Sequence, residues 1–82
     1  MNKTRKTRKS PYPTREEWKQ TFATLLKQRM EYLKIDQYEL AKRCEISQTT
    51  IHYYVHGANT PSAYTLFKLC MVLAVNPDYF MM

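Results

Sequence analysis

The stretch from residue 36 to residue 62, DQYELAKRCEISQTTIHYYVHGANTPS, constrains the fold of this chain more than any other part. Its apolar spacing predicts two short helices, over about Gln37 to Cys44 and Gln48 to His56, separated by a turn of about three residues. Asp36 and Ser47 each precede one helix and can accept hydrogen bonds from the free backbone N–H groups of its first turn. Two helices joined by so short a turn must cross at a steep angle.

Other capping residues mark the ends of these helices and the start of a longer one. Glu39 follows Asp36 by three residues and is placed to reach back to its backbone N–H, as in a capping box. Thr14 begins a second capping box, ahead of helix 1, which is predicted over about Arg15 to Leu33. Gly57, the only glycine, follows helix 3 at the position where a left-handed cap is favoured.

Apolar residues at helical spacing define the buried faces and two further helices. Helix 1 is expected to bury one stripe: Trp18, Phe22, Leu25, Leu26, Met30 and Leu33. Helix 4 is predicted from about Ala63 to Ala74 after the cap Ser62, and Leu66, Leu69, Cys70 and Leu73 are expected to be buried. Asn76 followed by Pro77 begins a short fifth helix. The pattern predicts an all-α fold, a compact domain of five helices.

The charge of the chain is concentrated at its start. Residues 1–13, MNKTRKTRKSPYP, combine many cations with two prolines and one aromatic residue, which predicts a disordered basic arm. The chain carries a net charge of +6, and the first fifteen residues account for all of it: Lys3, Arg5, Lys6, Arg8, Lys9 and Arg15. From residue 16 onward the cations and the acids balance. An 82-residue chain has room for one core, so one domain is expected over residues 14–82.

Two helices that cross in this way allow one to lie across DNA while the other enters the major groove, as in a helix-turn-helix. The sequence resembles the phage repressor and Cro-type helix-turn-helix family over roughly residues 18 to 81. The resemblance is carried by I-D-Q-Y-E-L-A from residue 35, I-S-Q-T-T-I from residue 46, Gly57, Pro61-Ser62, and the apolar pattern of Leu66 to Leu73 and Val75. It implies a lambda-repressor-like domain of five helices, usually dimeric, that binds operator DNA.

Three features depart from the family pattern. Glu45 occupies a turn position where glycine is common, so either its backbone is left-handed, at a cost of about 0.5–1 kcal/mol, or the turn differs slightly from the family pattern. Met30 and Val55 stand where the family often pairs an arginine with a glutamate, and we expect an apolar contact between them. The predicted recognition helix, Gln48 to His56, contains no lysine or arginine.

Base contacts are expected from one side of helix 3. Ile51, Tyr54 and Val55 share one side, and the other side carries Gln48, Thr49, His52, Tyr53 and His56. The resemblance implies that Gln48, Thr49 and Tyr53 read bases, and His52 is a further candidate. Glutamine can hydrogen-bond to N6 and N7 of adenine together, and the threonine methyl can pack on the thymine methyl, so an A·T-rich half-site is expected. The alternative is that these are simply exposed polar residues on a scaffold helix.

Phosphate contacts and electrostatic attraction are expected from other residues. Gln37 lies at the start of helix 2, whose free N–H groups suit a phosphate. The resemblance adds four candidates: Ser47, Thr50, Asn59 and Thr60. The arm cations Lys3, Arg5, Lys6, Arg8 and Lys9 are expected to contact phosphates or to enter a minor groove. The alternative is that the arm only aids solubility.

Other classes of function find little support in the residues. Cys44 and Cys70 lack CxxC spacing and lie among apolar neighbours, which indicates buried thiols. His52 and His56 are four apart, a spacing at which two imidazoles can share a metal ion, but DNA contact is favoured over metal because no third ligand accompanies them. For His56, simple exposure with neither role is favoured over both. We expect no metal, no cofactor and no enzyme activity.

No apolar run reaches the ~20 residues that cross a bilayer, and no signal peptide is recognisable, so no membrane contact and a cytoplasmic location are expected.

The expected partners are double-stranded DNA and a second copy of the chain. One recognition helix on a neutral domain gives modest affinity, so a homodimer on a two-fold operator is expected, as a small repressor or Cro-like switch. The candidate dimer surface is Tyr79, Phe80, Met81 and Met82, with packing onto helix 1 as the alternative. Two rival functions are an antitoxin-like module that binds a second small protein and regulates its own gene, and a polybasic binder of RNA or membranes.

Overall fold

The computed structural model describes residues 10–81, and these form helices joined by short loops, with no strand among them. The elements are α1 (Arg15–Leu33), α2 (Gln37–Cys44), α3 (Gln48–Val55), α4 (Ala63–Leu73) and a 3₁₀ helix (Pro77–Phe80). The five arm cations from Lys3 to Lys9, and Met82, lie outside the described residues. None of the described helices is both long and apolar enough to span a membrane.

Every α-helix begins at its predicted cap. The Thr14 hydroxyl accepts a hydrogen bond from the Glu17 backbone N–H at 3.1 Å, and the Glu17 carboxylate accepts one from the Thr14 N–H at 2.7 Å, which completes the capping box. The side chains that cap the other α-helices in the same manner are Asp36, Ser47 and Ser62. The reciprocal bond predicted from Glu39 is replaced by a bond from Arg43, whose Nε donates to Glu39 Oε2 at 2.8 Å.

Three of the α-helices end at L-residues with a left-handed backbone. Lys34, Glu45 and Ala74 have φ values of 59°, 59° and 60°. The value at Glu45 confirms the first of its two expected alternatives, a left-handed backbone. After α3 the left-handed residue is Gly57, with a φ of 74°, again as predicted. The helices α3 and α4 each end one residue earlier than predicted, at Val55 and Leu73.

The predicted fifth helix is a single 3₁₀ turn and not an α-helix, so the predicted five-helix domain has four α-helices. The backbone N–H of Tyr79 donates to the Asn76 carbonyl at 2.9 Å, and that of Met81 donates to the Asp78 carbonyl at 3.0 Å. These bonds span three residues, as in a 3₁₀ helix. A segment of only four residues, beginning with a proline that has no N–H to donate, is too short for a regular α-helical ladder.

The core is built from all five elements. Its largest fully buried side chains are Phe22, Leu26, Leu40, Cys44, Ile51, Leu69, Leu73 and Phe80. Met30 and Val55, 7% and 8% exposed, belong to the same buried cluster, and the predicted direct contact between them stays a prediction. Leu33 was predicted to be buried but is exposed, because the chain reverses at Lys34 and Ile35 packs against the core instead.

The packing leaves one side of α3 uncovered. Helix α3 packs against α1 and α2, and α4 packs against α2 and α1. The Tyr54 ring of α3 meets the Phe22 ring of α1 edge-on, with ring centroids 5.9 Å apart. These contacts hold α3 by its apolar side and direct its polar side outward.

Candidate nucleic-acid interface

The two sides of α3 differ sharply in burial. Ile51, Tyr54 and Val55 are buried, as their spacing predicts. The side chains on the opposite side are all exposed: Gln48, Thr49, His52, Tyr53 and His56. An eight-residue helix therefore presents hydrogen-bonding groups and a tyrosine ring outward from a rigid apolar base.

A shallow groove brings the predicted base readers together. It is lined by Gln37, Gln48, Thr49, His52 and Tyr53. Four of these are the predicted base readers of α3. Gln37, predicted to contact phosphate from the start of α2, lies on the same groove. The groove therefore contains residues from both helices of the motif.

The groove carries no ionic charge of its own. None of its lining residues is lysine, arginine, aspartate or glutamate. Lys42 and Arg43 are exposed on α2, but Arg43 pairs with Glu39 and so contributes little net charge. The lining can distinguish partners by hydrogen bonds and shape, whereas long-range attraction to an anion must come from elsewhere in the chain.

The histidines of α3 stack on each other. The ring centroids of His52 and His56 are 4.1 Å apart, at an interplanar angle of 39°. The Nδ1 atom of His56 lies 2.9 Å from the backbone carbonyl oxygen of His52. Because a carbonyl can only accept, His56 donates through Nδ1, and in the neutral ring the lone pair is then on Nε2. His52 is also 6.1 Å, centroid to centroid, from the Tyr53 ring.

The remaining predicted phosphate contacts lie around the ends of α3. Ser47 Oγ is 2.7 Å from Thr50 Oγ1 and also accepts from the Thr50 N–H, so both side chains already help to begin the helix. Asn59 is exposed and Thr60 is half-buried, in the loop that follows α3. None of these four residues lines the groove.

Tyr54 anchors α3 to the core of the domain. It is 6% exposed, and burial raises the pKa of its hydroxyl, an effect partly offset by a hydrogen bond with Thr65 of α4. The edge-on contact to Phe22 ties α3 to α1. Sequence periodicity placed Tyr54 in the core, and the structure confirms its burial.

The predicted dimer surface is divided by the structure. Phe80 is fully buried, with its ring centroid 4.9 Å from that of Phe22, and its carbonyl accepts a hydrogen bond from Trp18 Nε1 at 3.1 Å. Tyr79 is half-buried and donates to the Leu25 carbonyl at 3.4 Å. Packing onto α1 therefore buries the side chain of Phe80 and much of that of Tyr79. Met81 is exposed, and Met82 lies outside the described residues.

An apolar surface that the sequence analysis missed lies on α4. Tyr64, Phe67 and Met71 are 68%, 57% and 68% exposed. They follow one another at intervals of three and four residues, so they share one side of the helix. The sequence did contain this signal. The apolar residues of α4 lie on both sides of the helix, whereas a helix that packs against a core on one side only has a single apolar stripe.

Comparison with known proteins identifies related folds. A family model described as helix-turn-helix matches residues 26–80. The crystal structure of a hypothetical transcription factor, NHTF from Neisseria, superimposes with a TM-score of 0.76 and 16% sequence identity, covering 93% of this chain and 87% of that chain. At that identity the likeness shows a shared fold. No curated protein matches the sequence.

Proposed function

The chain belongs to the helix-turn-helix family of DNA-binding transcriptional regulators, and from that premise we propose that it is a small repressor or Cro-like switch. In this proposal α3 lies in the major groove of a two-fold operator. The observation that carries it is the shared groove of Gln37, Gln48, Thr49, His52 and Tyr53 on the exposed side of the motif. The fold shared with the Neisseria protein, itself described as a hypothetical transcription factor, agrees with this function.

Base reading is assigned to four side chains of the groove. Gln48, at the first position of α3, forms a pair of hydrogen bonds with adenine, which discriminates against other bases by roughly 1–3 kcal/mol. The Thr49 methyl packs on a thymine methyl. Tyr53 and His52, one turn further along, contact the next bases. With no arginine to bind guanine, each half-site has an A·T-rich centre.

Phosphate contacts hold α3 in register. Ser47, Thr50, Asn59 and Thr60 surround the ends of α3 and bind the backbone of the strands that border the major groove. Gln37 contacts a phosphate or a base edge, since its side chain lies in the same groove as those of the base readers. The arm cations Lys3, Arg5, Lys6, Arg8 and Lys9 supply the electrostatic attraction that the neutral groove lacks.

Binding as a homodimer gives the affinity that one neutral domain lacks. The exposed side of α4, with Tyr64, Phe67 and Met71, is a better candidate dimer surface than Phe80, which is buried. Met71 also lines a surface groove together with Tyr79, so the apolar surface of α4 continues to the 3₁₀ helix. Aromatic residues and methionine are enriched in such interfaces.

The same surface favours one alternative function. An antitoxin-like protein also binds DNA, but it presents an apolar surface to a second small protein. The exposed side chains of Tyr64, Phe67 and Met71 would serve that role equally well. Co-purification of a stoichiometric second protein from the native host would favour this alternative, and a self-associated dimer would favour the repressor.

The test is selection of bound sites from random duplexes by the full chain and by variants. We expect a two-fold motif with A·T-rich half-sites about one helical turn apart. Gln48→Ala should relax the preference at one adenine position in each half-site and leave the other positions unchanged. Gln28→Ala, which removes an exposed glutamine on α1, serves as the matched control and should select the parental motif. Recovery of no enriched motif by the parent would contradict the proposal.

A further inference from the structure

His52 and His56 are the only histidines of the chain, and they lie side by side on the exposed side of α3. Two nitrogen ligands of one transition-metal ion lie about 3 Å apart, since each binds at roughly 2.0–2.1 Å. The ring centroids are 4.1 Å apart, so a nitrogen of the His52 ring has to approach His56 Nε2 by rotation of the His52 side chain. The pair is thus spaced to hold one ion between two ring nitrogens.

The hydrogen bonding of His56 prepares it as a ligand. Its Nδ1 donates to the His52 carbonyl, which leaves the Nε2 lone pair directed away from the backbone. A histidine that binds a metal ion usually donates its other ring N–H to an oxygen in this way, and the bond fixes both tautomer and ring orientation. Here the helix itself supplies that acceptor.

We propose that His52 and His56 form a two-imidazole site for a divalent late first-row metal ion, of the class Ni²⁺, Cu²⁺ or Zn²⁺, and that its occupation blocks the reading groove. Imidazole favours these ions over Mg²⁺ and Ca²⁺, which prefer oxygen. No group of three or more potential ligands occurs within residues 10–81, so water completes the coordination. The site is therefore open and exchangeable.

Competing ligands in the domain are poorly available. Cys44 and Cys70 are 1% and 5% exposed, and burial raises the pKa of both thiols, which disfavours the thiolate that binds metals. A bound ion is therefore expected on α3 while the domain remains folded.

The blocking effect follows from the position of His52 and rests on the proposed function. His52 lines the same groove as Gln48, Thr49 and Tyr53. A hydrated ion held there occupies the space that a base edge must enter, and it fixes the His52 ring. Metal binding and DNA reading should therefore exclude each other.

The first experiment measures metal binding without DNA. Ni²⁺ is titrated into the full chain by calorimetry, and paramagnetic line broadening in amide NMR spectra locates the ion. We expect one ion per chain, broadening centred on α3, and binding weakened roughly tenfold or more by either His52→Asn or His56→Asn, since one ligand of a chelating pair is lost. Mg²⁺ should give no heat of binding in the same calorimetric titration.

A matched control keeps the number of histidines but separates them. The double variant His56→Asn, Gln28→His places the second imidazole on α1, at an exposed position. It should bind Ni²⁺ as weakly as His56→Asn alone. Parent-like binding by this control, or equal binding by the parent and both single variants, would overturn the site.

The second experiment measures DNA binding to a selected duplex with and without Ni²⁺. We expect saturating Ni²⁺ to weaken DNA binding by the parent at least tenfold and to leave DNA binding by His56→Asn unchanged. EDTA should restore DNA binding by the parent. Unchanged or stronger binding by the Ni²⁺-loaded parent would overturn the blocking effect. If metal-free protein selects no duplex, the proposed function fails, while calorimetry and NMR still decide the metal site.

Discussion

At the scale of single residues, Gly57 shows why one position in the chain must be glycine. Its φ of 74° is a conformation that L-residues rarely adopt. A Cβ atom added there would lie 2.6 Å from Gln20 Nε2, so the side chain of α1 would have to move as well. The end of α3 is thus closely packed against α1.

We therefore predict that Gly57→Ala destabilises the domain by about 1–2 kcal/mol, from the left-handed backbone and the contact with Gln20. Urea denaturation checks the change. Adding Gln20→Ala should recover only the steric part, because the backbone conformation is unchanged. An unfolding midpoint equal to that of the parent would show that the loop adapts without cost.

Glu45 presents the opposite case, an L-residue where glycine fits better. Its φ of 59° carries the steric cost of a left-handed conformation, which exceeds the entropic cost of glycine. We predict that Glu45→Gly raises the free energy of unfolding by roughly 0.5–1 kcal/mol. Lys42→Gly, in the exposed interior of α2, should lower it by a similar amount. Thermal melts of the two variants should shift in opposite directions.

At the scale of elements, a side chain of α1 completes the end of α4. Arg29 Nε donates to the Leu73 carbonyl at 2.9 Å, and Nη2 donates to the Ala74 carbonyl at 3.4 Å. These carbonyls lack helical partners, and the C-terminal end of a helix favours a positive charge. The interaction links two elements whose contacting residues are 44 and 45 positions apart in sequence.

Replacing Arg29 should therefore loosen this link. We predict that Arg29→Met lowers the free energy of unfolding by roughly 1.5 kcal/mol, the usual effect of losing a hydrogen bond to a charged group. Lys27→Met removes another exposed cation of α1 and should change stability by less than about 0.5 kcal/mol. Equal effects in the two variants would indicate that net charge, and not the cap, is responsible.

At the scale of the whole molecule, the net charge and the groove on α3 belong to different parts of the sequence. The reading groove contains no ionic side chain, whereas the net charge of +6 is carried by the first fifteen residues. We predict that deletion of residues 2–9 weakens DNA binding by tens of fold at moderate salt. The removal of five cations should reduce the magnitude of the slope of log affinity against log salt concentration by up to about 4.5 per chain.

A second arm variant distinguishes charge from length. Replacing the same five cations by glutamine keeps the arm intact in length and should reproduce both effects of the deletion. A deletion that leaves the salt dependence unchanged would contradict the assigned role of the arm.

The buried thiols predict how the domain responds to alkaline pH. Burial raises the pKa of Cys44, with an opposing effect of Lys68, and raises that of Cys70, with a further increase from Asp78. The unfolded chain therefore releases these thiol protons at lower pH than the folded chain does. Their stabilising contribution is complete below the unfolded pKa and is lost as pH rises through the folded pKa.

We therefore expect the free energy of unfolding to fall as pH rises from about 8 to 9.5. The double variant Cys44→Ala, Cys70→Ala should show a shallower decline over this range. Denaturant midpoints at several pH values measure the slopes. If the free energy of unfolding falls equally with pH in the two proteins, groups other than these thiols cause the loss of stability at alkaline pH.

The candidate site was largely predictable because it depends on one helix. Apolar spacing separated Ile51, Tyr54 and Val55 from the polar side of α3, and Ser47 marked its start. The inclusion of Gln37 in the groove was not predictable in that way, because it depends on how α2 crosses α3. DNA contact by each of these residues stays a prediction.

The sequence by itself determined where the α-helices begin and which sides of them are apolar. Caps and helical periodicity act between residues only a few positions apart, so Thr14, Asp36, Ser47 and Ser62 could be identified directly. Tertiary structure alone decided that Phe80 enters the core, through the Trp18 bond across 62 positions, and that the apolar outer side of α4 stays uncovered. The burial of Phe80 and the exposure of this side of α4 both depend on which elements pack against each other, and the spacing of residues close together in sequence does not determine that packing.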